Sequence, residues 1–393
     1  MFLFNPDNDL ALANFSPNYT PPISAVKIVA DLAALPIWYV PNCSRVIADG
    51  LRNENYLQQL RKLFPFETSF VSFTDISSFP QEEIIPWGWN PALRKKLLDA
   101  NVSEEKLPSI EKLKLLRDYS GRQHAVKMLR ELKQTRSDFC GESHFFDNVT
   151  NLTDYLSTKI NSVLKMPYSG SGKGLVWIKG GITDKQTDWC RRVIREQGGV
   201  IAEPVLKKVQ DFAMEFIMEK GIVRFAGYSL FTSAASGAYM GNHLLSDSEI
   251  EKQLSQYVSI DTLNWVKSTY LQNLLRYFPH YNGYIGVDMM ICGTNKNYRV
   301  QPCVEINMRM NMGVVARLFY DKFVHPYSSG KFVVDFFKKQ SEALVFQQKM
   351  QKEFPLLIEN KRIKTGFFNL TPISEETNYV AWVLIGKNKL ELA

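Results

Sequence analysis

Four polar residues in the second half of the chain have types and spacing suited to holding a divalent cation. Asp288 lies in the apolar stretch GVDMMI, while Glu305, Asn307 and Arg309 recur at every second position of VEINMRMNMG. In an extended strand alternate side chains share a face, so Glu305 and Asn307 point one way and Val304, Ile306 and Met308 the other. The polar turn GTNKN between the two stretches reads as a hairpin connection, and hairpin pairing brings Asp288 beside them. Three hard oxygen donors, with phosphate oxygens completing the shell, suit magnesium. Arg309 shares the face if the strand continues, and a guanidinium there steadies a transferring phosphoryl group.

Upstream, VLKMPYSGSGKGLVWI sets Lys165 near the end of an apolar strand and then Gly170, Gly172 and Gly174 in a loop. Glycines let backbone N–H groups approach phosphate oxygens, and a lysine on the entering strand reaches an α- or β-phosphate. The GKG within it is not a Walker motif. Pro167 stands where that motif needs glycine, Gly174 stands where it needs a hydroxyl, and no helix follows. Strand, glycine loop and strand make a flap. In GVIAEPVLKKVQDFAMEF, Glu203 after an apolar strand and Asp211 beyond it suit an adenine amine and a ribose.

The elements that position these groups are legible in outline. FLFN, IWYV (37–40), SFVSF and EEIIPWGW read as strands; ISAVKIVADLAAL, YLQQLRKLF and NPALRKKLLDA read as helices. Asn90 caps the last of these and Pro91 occupies its first turn. Such alternation predicts an α/β domain with a largely parallel sheet. Residues 107–134 read as helix, then the flap strands, a glycine-stopped helix, three strands, helices over 247–279, and the hairpin of Asp288 and Glu305. Beyond 322 a helix near 331–353 and a strand pair (RIKTGFFNL, YVAWVLIG) are expected.

Lysine, glycine-rich flap, Glu hinge, ribose acid, Asp and E-I-N-x-R, in this order over residues 105–320, resemble the ATP-grasp family. The resemblance implies an N-terminal α/β domain of the kind that precedes an ATP-grasp unit and often helps bind substrate (residues 1–105), and a two-subdomain ATP-grasp fold. Its flap subdomain would span 106–200, its magnesium subdomain 201–325, and a C-terminal extension 326–393. It further implies that Lys165 contacts the α-phosphate, with Ser169, Gly170, Ser171, Gly172 and Gly174 covering the outer phosphates. Glu203 and the backbone near Val205 and Leu206 would take adenine, and Asp211 ribose. Asp288, Glu305 and Asn307 would hold Mg2+, with Mn2+ an alternative ion, and Arg309 would stabilise the transition state. The family's further basic contact falls on Arg117 or Arg122, of which Arg122 is the working assignment. The implied activity is an ATP-dependent ligase that activates a carboxylate as an acyl-phosphate and joins it to an amine or similar nucleophile. The alternatives are a small-molecule kinase, a nucleotide-binding protein without turnover, and a peptide-modifying ligase using the C-terminal extension.

Composition agrees with this class. Among 393 residues, 45% are apolar and 22% charged, as in a soluble globular chain. A net charge of +7 is mild at this length and suits an anionic small ligand; without a dense basic tract it does not indicate nucleic acid. Cys43, Cys140, Cys190, Cys292 and Cys303 are scattered, which points to reduced thiols in a cytoplasmic protein. Neither a signal peptide nor a membrane-length apolar run is read. The expected partners are small-molecule carboxylate and amine substrates, with no nucleic acid or membrane, and homodimerisation left open. The cluster Cys140, Glu142, His144 and Asp147 lacks the paired spacing of a zinc site. His243, Asp7, Asn8, Asp9 and the PWGWN stretch remain as further places for substrate contact.

Overall fold

The computed structural model describes residues 1–170, 174–294 and 297–386. They form two compact units: Met1–Leu113 with Met240–Asp247 and Met310–Ala393, and Lys114–Tyr239 with Ser248–Arg309. The four-part division drawn from the sequence is finer, and here residues 310–393 group with the N-terminal segment.

The first unit opens with β1 (Phe2–Leu3), α1 (Asn8–Asn14), α2 (Ile23–Asp31), β2 (Arg45–Ile47), α3 (Leu51–Arg61), β3 (Ser69–Val71), β4 (Ile85–Pro86) and α4 (Pro91–Asp99). The strands form a parallel sheet in the order β3-β2-β1-β4, as strand–helix alternation predicts. The Asn90 side chain accepts from the Leu93 N–H at 2.9 Å, and Pro91 opens α4. The NPDN and PWGWN stretches interlock. Asn5 Nδ2 donates to the Gly88 carbonyl at 2.8 Å, and a Cβ on Gly88 would lie 2.3 Å from the Asn8 amide.

The chain passes to the second unit within α5 (Ile110–Tyr119) and continues through α6 (Gln123–Lys133), β5 (His144–Phe146), α7 (Val149–Thr158), β6 (Asn161–Lys165), β7 (Leu175–Lys179), α8 (Asp184–Gln197) and β8 (Val200–Pro204). These strands form an antiparallel sheet, β5-β8-β6-β7. Thr183 and Gln186 make a capping box at the start of α8, and Gly198 ends it at φ 86°, a left-handed conformation that costs glycine little.

Next come β9 (Lys208–Glu219), β10 (Ile222–Ser233), β11 (Tyr239–Leu244), α9 (Asp247–Leu254), α10 (Ile260–Tyr277), β12 (Gly283–Thr294) and β13 (Asn297–Asn307). Within the second unit the long strands run antiparallel in the order β13-β12-β9-β10. The chain closes with α11 (Met312–Phe323), β14 (Ser329–Phe336), α12 (Glu342–Glu353), β15 (Leu357–Glu359), β16 (Arg362–Asn369) and β17 (Tyr379–Gly386). In the first unit β11-β14-β17-β16-β15 pair antiparallel.

Two local readings need correction. The apolar run 37–40 is not a strand: Leu35–Trp38 is a 3₁₀ helix, because Trp38 serves as a packing centre. The expected helix near 331–353 is β14 followed by α12, divided before Ser341 at φ 61°. The segment Asn8–Asn14, to which the sequence reading assigns no element, is a short helix. No helix among the described residues is long and apolar enough to cross a membrane.

Trp38 is fully buried and meets Phe64, Phe66, Phe319, Phe323 and Phe368 edge to face. Its indole N–H donates to the Leu370 carbonyl at 2.6 Å. The beginning and end of the chain are thus joined through one side chain. Trp38→Ala is expected to destabilise this unit by about 3–5 kcal/mol, measurable as a lower denaturant midpoint at unchanged slope.

Candidate nucleotide and metal site

Asp288 and Glu305 are direct cross-strand partners in the β12–β13 hairpin. At the end of β13 and just beyond it burial alternates: Ile306 and Met308 are 6% exposed, whereas Glu305, Asn307 and Arg309 are half-buried. Val304 is also half-buried. Asn307 Nδ2 donates to Asp288 Oδ2 at 3.2 Å, and Arg309 Nη2 donates to Asn307 Oδ1 at 3.2 Å. The four residues are therefore brought together on one face.

On β9, Ala213 opposes Asp288 and Asp211 opposes Met290, which places Asp211 on the face of Asp288, one alternation along. Asp211 Oδ2 accepts from Lys208 Nζ at 2.6 Å and from the Ser233 hydroxyl. The Asp288 carboxyl is pushed up to about 7, first by burial and next by the negative charge of Glu305, with the Asn307 hydrogen bond and Arg309 acting in the opposite sense. Like charges held this close resist joint ionisation, and a cation between them relieves that resistance. The donor set therefore fits a hard divalent ion.

The flap is an antiparallel hairpin. β6 pairs with β7 so that Lys165 opposes Leu175, and the Met166 N–H donates to the Gly174 carbonyl at 3.0 Å. Gly174 has φ 77°, and a Cβ there would lie 2.8 Å from Ser169, so both conformation and space require glycine. Ser169 is 6% exposed. Gly170 is half-buried. Ser171 and Gly172 lie outside the described residues.

β6 also pairs with β8, Val163 opposing Glu203, so Lys165 and Glu203 are diagonal neighbours on one face. Lys165 Nζ and Glu203 Oε2 are 2.8 Å apart, each side chain 10% exposed. In the hinge, the Val205 N–H donates to Asn161 O at 3.1 Å and Leu206 O accepts from the Lys208 N–H at 3.0 Å.

Sequence reasoning left Arg117 and Arg122 unresolved. The structure sets Arg117 over the Tyr168 ring, 4.9 Å from its centroid. Arg122, 7% exposed, reaches both the flap base and Glu305. Its Nη1 donates to Met166 O at 2.6 Å and Ser169 Oγ at 2.7 Å; its Nη2 donates to Ser169 O at 3.1 Å and Glu305 Oε1 at 2.6 Å.

Two supporting residues were missed. Ser143 donates to Glu203 Oε1 at 3.0 Å; it lies in CGESHFFD, a stretch weighed only for metal. Ser233 bonds Asp211 from β10, and nothing local in the sequence signals it. In the same CGESHFFD stretch, Glu142 is held by His144, Tyr155 and Lys159 at 3.0–3.1 Å. In the first unit, half-buried His243 opposes Lys331, and burial lowers its pKa below the ordinary value.

Flap hairpin, hinge and acid-bearing hairpin follow one another along the second unit. No protein-family profile matches the chain, and no curated protein does. Solved structures do. An N5-carboxyaminoimidazole synthetase from Staphylococcus aureus, complexed with ADP, is similar at 12% identity and TM-score 0.48, over 88% of this chain and 93% of that one. A biotin carboxylase from Campylobacter jejuni is similar at 9% identity and TM-score 0.49, over 89% and 88%. An L-amino acid ligase from Bacillus licheniformis is similar at 12% identity and TM-score 0.44, over 82% and 84%.

The raised Asp288 pKa sets a pH dependence. Between the ordinary carboxylate value of 3.8 and about 7, the folded protein keeps a proton that the unfolded chain releases. The resulting stabilisation is complete below the lower value and lost as pH rises through the upper. In metal-free protein, Asp288→Asn is expected to flatten this part of the stability–pH curve, as followed by denaturant unfolding at pH 4.5, 6 and 7.5. Equal slopes in both proteins would show that Asp288 does not titrate near 7.

Proposed function

We propose that this chain is an ATP-dependent ligase that activates a carboxylate as an acyl-phosphate and joins it to an amine. The observation that carries the reading is the register that pairs Asp288 with Glu305, with Asn307 and Arg309 on the same face. Asp288, Glu305 and Asn307 would hold Mg2+, or Mn2+ in its place, which when bound offsets phosphate charge and polarises the transferring group.

The remaining roles belong to the chain. Lys165, paired with Glu203 at 2.8 Å, lies at the strand end that enters the flap and would turn its ammonium to an inner phosphate. The glycine-bearing hairpin would cover the outer phosphates and keep water from the activated acyl group. Leu206 N–H and Val205 O take no backbone hydrogen bond among the described residues, and are suited to the adenine edge. Asp211 would receive ribose hydroxyls. Arg309, held by Asn307, would face the charge that develops on the γ-phosphoryl group.

A substrate carboxylate oxygen would bond to the γ-phosphorus as the bond to the ADP oxygen breaks. The amine would then bond to the acyl carbon, phosphate would leave, and the amine would lose a proton to solvent. The site calls for small carboxylate and amine substrates, and we place the reaction in the cytoplasm. Homodimerisation is compatible with this chemistry and is not required by it.

The test is ATP-dependent phosphate release across a panel of carboxylates, each with and without amines. A ligase releases phosphate only when both are present. A stable phosphorylated product without amine would assign a kinase instead. With the active pair, Glu305→Ala and Asn307→Ala are expected to lower kcat by at least ~100-fold, about 3 kcal/mol, with unfolding midpoints close to wild type. Undiminished turnover in both variants would remove the metal assignment.

A further inference from the structure

We propose that Arg122 is a positioning residue that latches the flap to the metal-binding face, and that a divalent cation and Arg122 compete for Glu305. The proposal rests on the ligase reading above for the metal site, and adds a coupling between that site and the flap.

One guanidinium makes every side-chain bond in the latch. Nη2 is shared between Glu305 Oε1 at 2.6 Å and Ser169 O at 3.1 Å, while Nη1 is shared between Met166 O at 2.6 Å and Ser169 Oγ at 2.7 Å. The Arg122 backbone N–H adds a bond to Pro167 O at 3.2 Å. Arg122 therefore grips Met166, Pro167 and Ser169, which lead from β6 into the glycine loop, and the Nη2 that holds the Ser169 carbonyl also holds a carboxylate on β13.

Arginine suits this role because its planar fork offers several donors in fixed directions. The pair is partly withdrawn from water, with side chains 7% and 26% exposed, where a charged hydrogen bond is stronger than at the surface. Glu305 faces Asp288 directly across the hairpin, so positive charge is needed on this face. Arg122 supplies one such charge and a divalent ion would supply two. Both seek the same carboxylate, and two cations at one oxygen repel each other. Cation entry then weakens the Nη2–Glu305 bond, loosens the flap base and frees one arm of the guanidinium to meet nucleotide phosphate.

The experiment is Mn2+ binding to nucleotide-free protein by electron paramagnetic resonance, together with hydrogen exchange of peptides covering 161–170, in wild type, Arg122→Gln and Glu305→Ala. Arg122→Gln is expected to bind Mn2+ at least ~10-fold more tightly than wild type. Mn2+ is expected to speed exchange at the flap base of wild type. In Arg122→Gln that exchange is expected to be fast already and indifferent to Mn2+. Should Arg122→Gln not fold, Arg122→Lys, which keeps the charge but loses the fork, gives the same direction with a smaller size. A merely structural arginine would lower the unfolding midpoint and leave Mn2+ affinity unchanged. Equal or weaker Mn2+ binding in the folded Arg122 variant overturns the latch while leaving the metal site standing. Failure of wild type to bind Mn2+ at a site lost in Glu305→Ala overturns the metal reading itself, and the latch with it.

Discussion

Two carboxylates set opposite each other across a β-hairpin repel unless positive charge or a proton is supplied. In this protein the pairing of Asp288 with Glu305 imposes that requirement, and the surrounding side chains answer it. Arg122 approaches Glu305 from the segment before α6. Asn307 donates to Asp288, and Arg309 reaches the same face through Asn307. Asp288 itself meets the remaining cost by holding its proton more tightly. A fold that served only stability would not need two acids here, since an apolar pair of similar size would satisfy the same register without desolvating charge.

The same arrangement recurs along the site. Glu203 holds Lys165, Glu305 holds Arg122, and Asp211 holds Lys208. Each acid stands on a strand or strand end fixed by ladder hydrogen bonds, while each base sits on a longer and more adaptable side chain. Binding of a polyanion would therefore exchange partners rather than bring bare charges together. Lys165 and Arg122 are already desolvated and oriented, whereas Lys208 stays exposed, and the acids become available to other donors as the bases turn away.

How much of this could be read from sequence depended on distance along the chain. The acid-bearing face was legible because alternation is local: Glu305 and Asn307 declare one face by spacing alone, and the polar turn before them declares the hairpin. The flap was legible from its glycines and from the lack of a following helix. Arg122 was not assignable, since its partner lies 183 residues away and nothing in the surrounding sequence distinguishes it from Arg117. In the N-terminal α/β segment the parallel sheet was legible, but the run IWYV was misread because an apolar tetrapeptide suits strand or helix equally. What decided it was the ring of phenylalanines around Trp38, several of them contributed by the far end of the chain. The stretch 331–353 failed for the opposite reason. Its β-branched pair and alternating apolar residues make a strand first, and only the part beyond Ser341 has room to be helical.

The rigidity of the acid-bearing face comes from the other side of the same sheet. On β9 the alternate residues Phe212, Met214, Phe216 and Met218 are fully buried, as are Ile285, Val287, Met289 and Ile291 on β12 at no more than 1% exposure. α10 covers this side: Tyr270 packs on Phe216 with ring centroids 5.7 Å apart and donates its hydroxyl proton to Pro302 O at 2.7 Å. A one-residue slip of β12 would drive Asp288 into this apolar layer and expose Val287 and Met289, exchanging a buried core for a buried charge. The core thus enforces the register, and the register enforces the meeting of Asp288 with Glu305. The electrostatic tension on one face is sustained by hydrophobic burial on the other.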